Sequence, residues 1–164
     1  MPSIDEYARR PREERLARIG RTPDELADAV RGADAAVLAR RPAPKSWAAT
    51  EVICHLRDNE EWFLERMRLI VEMDLPRFVA TNPDRWADER QYLTNDAAAA
   101  LAAFARRRRE TLEFLRPLGR DAWARAGVHV DSRGRRTIDE FLSVMAWHDD
   151  NHLDQLRRAL DGRA

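Results

Sequence analysis

The sequence predicts an all-α fold, a four-helix bundle with one long crossover connection, from three observations. Alanine, leucine, arginine and glutamate abound while glycine and β-branched residues are scarce, a composition that favours helix over strand. Apolar residues recur at spacings of three and four through four separate segments, and no strand pattern emerges. Capping-box tetrads, TPDE at 22–25 and TIDE at 137–140, mark two helix starts.

Residues 1–21 are mostly polar and are expected to form an N-terminal arm, with one helical bundle domain over 22–164. The first helix is expected to open with Thr22 as cap and Pro23 in its first turn. Leu26, Ala29, Val30, Ala33, Val37 and Leu38 then continue one apolar face, kinked at Gly32, until the prolines of RRPAPKSW (40–47) break it. The second helix, about Ala49 to Met73, carries the stripe Val52, Leu56, Trp62, Phe63, Met67, Leu69, Ile70 and Met73. Residues 74–95, with Pro76, Asn82, Pro83 and Asn95, read as the long connection. The third helix spans roughly 95–115 and ends before Pro117 and Gly119. GVHVDSRGRR (127–136) reads as a loop, and the fourth helix runs from Thr137 to about Leu160, ahead of Gly162.

At 164 residues the chain is long enough to bury a core. Its formal charge is zero, so no net field recruits nucleic acid or an anionic membrane. The start of the chain lacks an apolar signal core, and no run approaches the roughly 20 apolar residues that span a bilayer. The single cysteine, Cys54, excludes an intrachain disulfide and fits a reducing, cytoplasmic setting. Arg106–Arg109 point nearly all round a helix axis, so they read as a solvated face rather than a nucleic-acid stripe.

The chemistry lies in the histidines. In the fourth helix the stripe Ile138, Phe141, Leu142, Met145, Leu153, Leu156 and Leu160 has a gap, and bridging it by threes and fours lands on His148 and His152. The two are about 40° apart around the axis, with Cβ atoms roughly 5–6 Å apart, near enough to share one ion. Gln155 lies on the same face. In the second helix His55 and Asn59 share a face with Val52, Leu56 and Phe63. If these helices are neighbours, three imidazoles converge and leave a coordination position open, an arrangement typical of catalytic rather than structural zinc. Neutral imidazole suits nickel, copper and iron as well. The alternative is three core histidines satisfied by ordinary hydrogen bonds. HDDNH has Asp149 where the HExxH of zinc peptidases has Glu, which argues against a peptidase. Asp149 and Asp150 are expected to orient imidazoles or cap backbone.

PKSWAATEVICHLRDNE (44–60), RRRRETLEFLRPL (106–118) and GVHVDSRGRRTIDEFLSVMAWHDDNHLDQL (127–156) follow one another in an order and spacing that resembles the DinB-like (DinB/YfiT) metal-binding four-helix bundles. The pairing of W-x7-HL-x-D-x-E with HxxxHxxQ carries the resemblance, which covers most of the chain from about residue 26. It implies a divalent metal, zinc or nickel, held by His55, His148 and His152. It also implies a homodimer, a small-molecule substrate, and either thiol S-transfer with a low-molecular-weight thiol as co-substrate or metal-dependent hydrolysis. Ala48 and Ala49 depart from the Ser-Pro usual in that family, which weakens the helix start but not the ligand set.

His129 and Asn59 are the candidates for a catalytic part. His129 is either a surface loop residue or one that approaches the metal's open side; Asn59 faces the core with His55. Asp58, Asp149 and Gln155 are the candidates to support the ligands, although Asp58 and Glu60 read equally well as solvated charges. Cys54 points about 100° away from His55 and reads as a packed, inert thiol. The five tryptophans read as core or cap residues, one or two of them at a pocket mouth. Two functions fit: a metal-dependent enzyme, or a non-enzymatic stress-related module that binds metal or ligand.

Overall fold

Four long helices carry the architecture in the computed structural model, which describes residues 1–79, 81–130 and 134–164. They are α2 (Arg12–Ala29), α4 (Ala49–Glu72), α6 (Ala97–Leu115) and α8 (Ile138–Leu160), with shorter helices α1 (Ile4–Ala8), α3 (Ala35–Leu38), α5 (Pro83–Glu89) and α7 (Arg120–Ala124). α2 packs on α6 and α8, and α4 packs on the same two, so α2 and α4 stand diagonally in a four-helix bundle. The crossover from α4 to α6 holds the expected long connection.

The arm expected over residues 1–21 is instead helical. α1 lies along α8, and Arg12–Gly20 form the first half of α2. The polar sequence hid this because arginines line much of the buried face. Arg15 donates to Asp139 and to the Ser143 hydroxyl, and Arg18 donates to Asp150 and Glu25. Tyr7, also buried, donates its hydroxyl to Asp150.

Thr22 does not cap a helix start; α2 runs straight through it with Pro23 inside. A mid-helix proline normally costs a hydrogen bond, because it cannot donate to the carbonyl four residues back. Here that carbonyl, on Ile19, accepts from the Arg108 guanidinium at 2.6 Å. The helix ends near Val30, and Gly32 turns the chain at φ +77°. The kinked continuation expected through Leu38 is the separate helix α3, capped by Asp34.

α4 matches its expected span. Ala48 cannot cap through its side chain, and Glu51 compensates by accepting the Ala48 backbone N–H at 2.9 Å. α8 opens with the expected box, Thr137 receiving the Glu140 N–H while the Glu140 carboxylate accepts from Thr137.

The segment 127–136, expected as a loop, forms most of two strands, although residues 131–133 lie outside the described residues. β1 (Arg77–Phe78), within the crossover, pairs in parallel with β2 (Ala126–His129), which pairs antiparallel with β3 (Gly134–Thr137). Gly127 permits the tight approach of β1, because a Cβ there would come within 2.3 Å of the Phe78 ring. The strands are short, and glycines and arginines replace apolar alternation, so no period marked them.

Candidate metal centre

α4 and α8 pack together and bring His55, His148 and His152 into one cluster, each offering a ring nitrogen within 4.8 Å of the others. The Nε2 atoms of His55 and His148 stand 3.1 Å apart. Ring centroids lie 4.4 Å apart for His55 and His152, and 4.3 Å for His148 and His152. Two nitrogens bound to one zinc at 2.0–2.1 Å would be about 3.3 Å apart in tetrahedral geometry. The His55–His148 pair is therefore already at the spacing of shared coordination.

Protonation and tautomer suit the same role. Burial, helped by the neighbouring imidazole of His152, pushes His55 down to about 3. Burial lowers His148 and His152 as well, with the other imidazoles adding to the effect at His148. All three rings are thus neutral, the form that ligates metal. The Oε1 of Gln155 lies 2.8 Å from His152 Nδ1. It accepts the Nδ1 proton and leaves the Nε2 lone pair for an ion. Asn59 holds the third ring: its amide nitrogen donates to the His55 carbonyl at 3.0 Å and lies 3.0 and 3.2 Å from the two ring nitrogens. The donor set and spacing fit a divalent cation with positions left for exogenous ligands.

Gln155 and Asn59 are therefore where the sequence placed them, but the two aspartates are not. Asp149 touches no imidazole; it binds Arg108 in two-point fashion and accepts from Thr22 at 2.5 Å. The buried ridge of α8 runs Met145, Asp149, Leu153, Leu156, and the histidines sit on the flank beside it. Both paths obey the three-and-four rule, and the unforeseen partner Arg108 decides between them. Arg108, read as solvated, is 2% exposed and also binds Glu60 at 2.6 Å. One side chain of α6 thus ties α2, α4 and α8 together directly behind the histidines.

Asp58 likewise points away from the imidazoles. It accepts from Arg57 at 2.7 Å, Arg90 at 2.6 Å and the Tyr92 hydroxyl at 2.7 Å. Burial would raise its pKa, yet these donors hold it down to about 2. Its work is to pin the crossover onto α4. Cys54 is buried, and burial pushes its thiol up to about 11, consistent with an inert role.

The three histidines line a cavity of about 870 Å³. Trp47 packs against His55 and His152, with centroids 4.8 and 6.3 Å away. His129, on β2 rather than a surface loop, is 3% exposed and lines the same cavity. Its ring lies 5.7 Å from Phe141, which contacts Phe63, which contacts His148. Arg136 on β3 also lines the cavity. It was overlooked because a presumed loop gave no reason to assign its side chain a direction. Among the described residues no helix is long and apolar enough to cross a membrane.

The profile of the DinB superfamily matches residues 18–156. YfiT of Bacillus subtilis (strain 168) is 22% identical over 107 residues, 65% of this chain and 60% of YfiT, so the match spans less than two thirds of that relative. The YfiT structure, described as that of a probable metal-dependent hydrolase with an unusual four-helix bundle topology, superposes with a TM-score of 0.85 and 20% identity. It covers 90% of this chain and 85% of YfiT. The mycothiol-dependent maleylpyruvate isomerase superposes with a TM-score of 0.73 and 16% identity, over 95% of this chain and 63% of that one. At these identities the structural likeness shows a shared fold.

Proposed function

The chain belongs to the DinB superfamily, and from that premise we propose that it is a metal-dependent enzyme, a hydrolase or a thiol S-transferase, using zinc or nickel. The observation that carries this reading is the set of three imidazoles brought together in one cluster on a cavity of about 870 Å³. That volume is in the range of small-molecule sites. His55, His148 and His152 hold the ion. A divalent cation held by these three imidazoles would supply Lewis acidity, which would lower the pKa of a water or thiol at the site and make it a nucleophile at neutral pH.

The remaining residues orient and enclose. Gln155 fixes the His152 tautomer, and Asn59 fixes the His55 ring. Trp47, Phe63 and Phe141 exclude water from one side of the cluster. His129 lines the cavity away from the cluster and is the group placed to exchange a proton with a bound substrate. We further read the protein as a cytoplasmic homodimer acting on a small molecule, with a low-molecular-weight thiol as co-substrate in the transferase case.

The test is turnover by zinc- and nickel-loaded protein of ester and amide substrates, and of electrophiles paired with bacillithiol, mycothiol or glutathione. The reading expects metal-dependent turnover in one arm, abolished in His148→Ala. Stoichiometric metal with no turnover in any arm would instead make the chain a non-enzymatic metal-binding module.

A further inference from the structure

We infer that the cavity binds a substrate bearing a carboxylate, and that Arg136 is the residue that grips it. The inference rests on the reading of this cavity as a substrate pocket. The whole chain is charge-balanced, with 29 basic and 29 acidic residues. The cavity wall is not: among the described residues Lys45, Arg136, Arg158 and Arg163 line it against a single carboxylate side chain, Asp84. The imidazoles add no negative charge, and a bound cation would strengthen the bias. Such a wall favours anions over neutral molecules.

The four cations are not equivalent. Arg158 is paired with Asp154 at 2.9 Å and Arg163 with Asp161 at 2.7 Å. Among the described residues neither Lys45 nor Arg136 has an ion-pair partner, and Lys45 is exposed while Arg136 is half-buried. Strand register explains where Arg136 points. Gly127 pairs with Arg136 and His129 with Gly134, so His129 and Arg136 share one face of the hairpin and both enter the cavity. Gly127 and Gly134 are the cross-strand neighbours of Arg136 and His129, and the Phe78 ring packs over Gly127 and beside His129 on that face.

A guanidinium presents a planar two-donor fork that matches a carboxylate. The aromatic walls, including Trp47, Trp62 and Phe141, suit an apolar body attached to it. The carboxylate could come from the electrophilic substrate or from a carboxylate-bearing thiol, and two probes separate these sources. Phenylacetate stands for the first and S-methylglutathione for the second, with phenylacetamide as the neutral control.

Binding is measured by calorimetry on the full chain, both zinc-loaded and after chelation, because carboxylates also coordinate zinc. We expect at least one carboxylate probe to bind more tightly than phenylacetamide. We expect Arg136→Gln to weaken that probe by about tenfold, the size of one charge-assisted contact, and Arg136→Lys to weaken it less. Dependence with phenylacetate alone assigns the carboxylate to the electrophile, and with S-methylglutathione alone to the thiol. Failure of both carboxylate probes to bind more tightly than phenylacetamide, or a preference unchanged in Arg136→Gln, overturns the inference. Arg136 dependence that persists after chelation, in a protein lacking stoichiometric metal, would leave this inference standing while removing the metal-enzyme reading.

Discussion

Arg108 and Asp149 form a fully buried ion pair, 2% and 1% exposed, immediately behind the imidazoles of His148 and His152. The guanidinium also meets Glu60 of α4 and the Ile19 carbonyl that Pro23 leaves unpaired. One residue therefore bridges the two helices that carry His55, His148 and His152.

Removing that residue alone should be costly. Arg108→Met leaves Glu60 and Asp149 buried without a counter-charge, and breaking such a pair typically costs about 3–5 kcal/mol. Urea unfolding should show a loss of that order. Adding Glu60→Gln and Asp149→Asn to Arg108→Met should recover part of it, since the uncompensated charges are then gone. A single variant within about 0.5 kcal/mol of the parent, the usual range for a surface change, would mean the triad is energetically idle.

Gln155 acts through His152. Gln155→Leu keeps the volume but removes the acceptor from Nδ1, and changes of this kind typically cost 10–100-fold in metal affinity. Competition with a chelator of known strength would read the change, with Gln155→Glu keeping the acceptor as a control. Unchanged affinity in Gln155→Leu would show that the 2.8 Å contact does not hold the ring.

Asp58 separates a structural from a functional carboxylate. Asp58→Asn should destabilise the fold and speed hydrogen exchange in 83–95, because Arg90 and Tyr92 lose their charged acceptor. Metal stoichiometry should stay at the parent's value. Loss of the ion in this variant would return Asp58 to the metal site.

The metal-free protein should be sensitive to mild acid. His55 is held down to about 3 and His148 and His152 are also lowered, whereas in the unfolded chain all three titrate near 6.5. Between those values the unfolded chain binds more protons than the folded one, so stability rises with pH. Their contribution is complete above about pH 6.5 and is lost progressively as pH falls toward 3. The urea midpoint of chelated protein should drop between pH 7.5 and 5.5, ahead of most carboxylate titration. A flat midpoint across that window would contradict neutral, buried imidazoles.

The bundle and the clustering of the three histidines were legible because both obey helical periodicity, which survives without tertiary knowledge. His55, His148 and His152 stood out as polar residues at core-facing positions of the apolar stripes, although the structure sets His148 and His152 on the flank of the buried ridge of α8, and Gln155 followed by spacing alone. What was hidden depended on partners far away in sequence. Leu16 and Ile19 are too few to announce α2, whose buried face is completed by Arg15 and Arg18 with acids of α8 and Glu25. Asp149 looked like support for the ligands because nothing local reveals that Arg108 is buried opposite it. Strands of two to four residues, built from glycine and arginine, left no alternation to read, and with them went Arg136.

The central claim is that His55, His148 and His152 together bind one divalent ion. Elemental analysis of purified, metal-reconstituted protein and of the three single alanine variants tests it most directly, with X-ray absorption to identify the ligand atoms. The account predicts one tightly held ion per chain, nitrogen ligation from three imidazoles, and loss of stoichiometric metal in each variant that remains folded. Retention of one tight ion in His148→Ala, or sulfur ligation from Cys54, would contradict it.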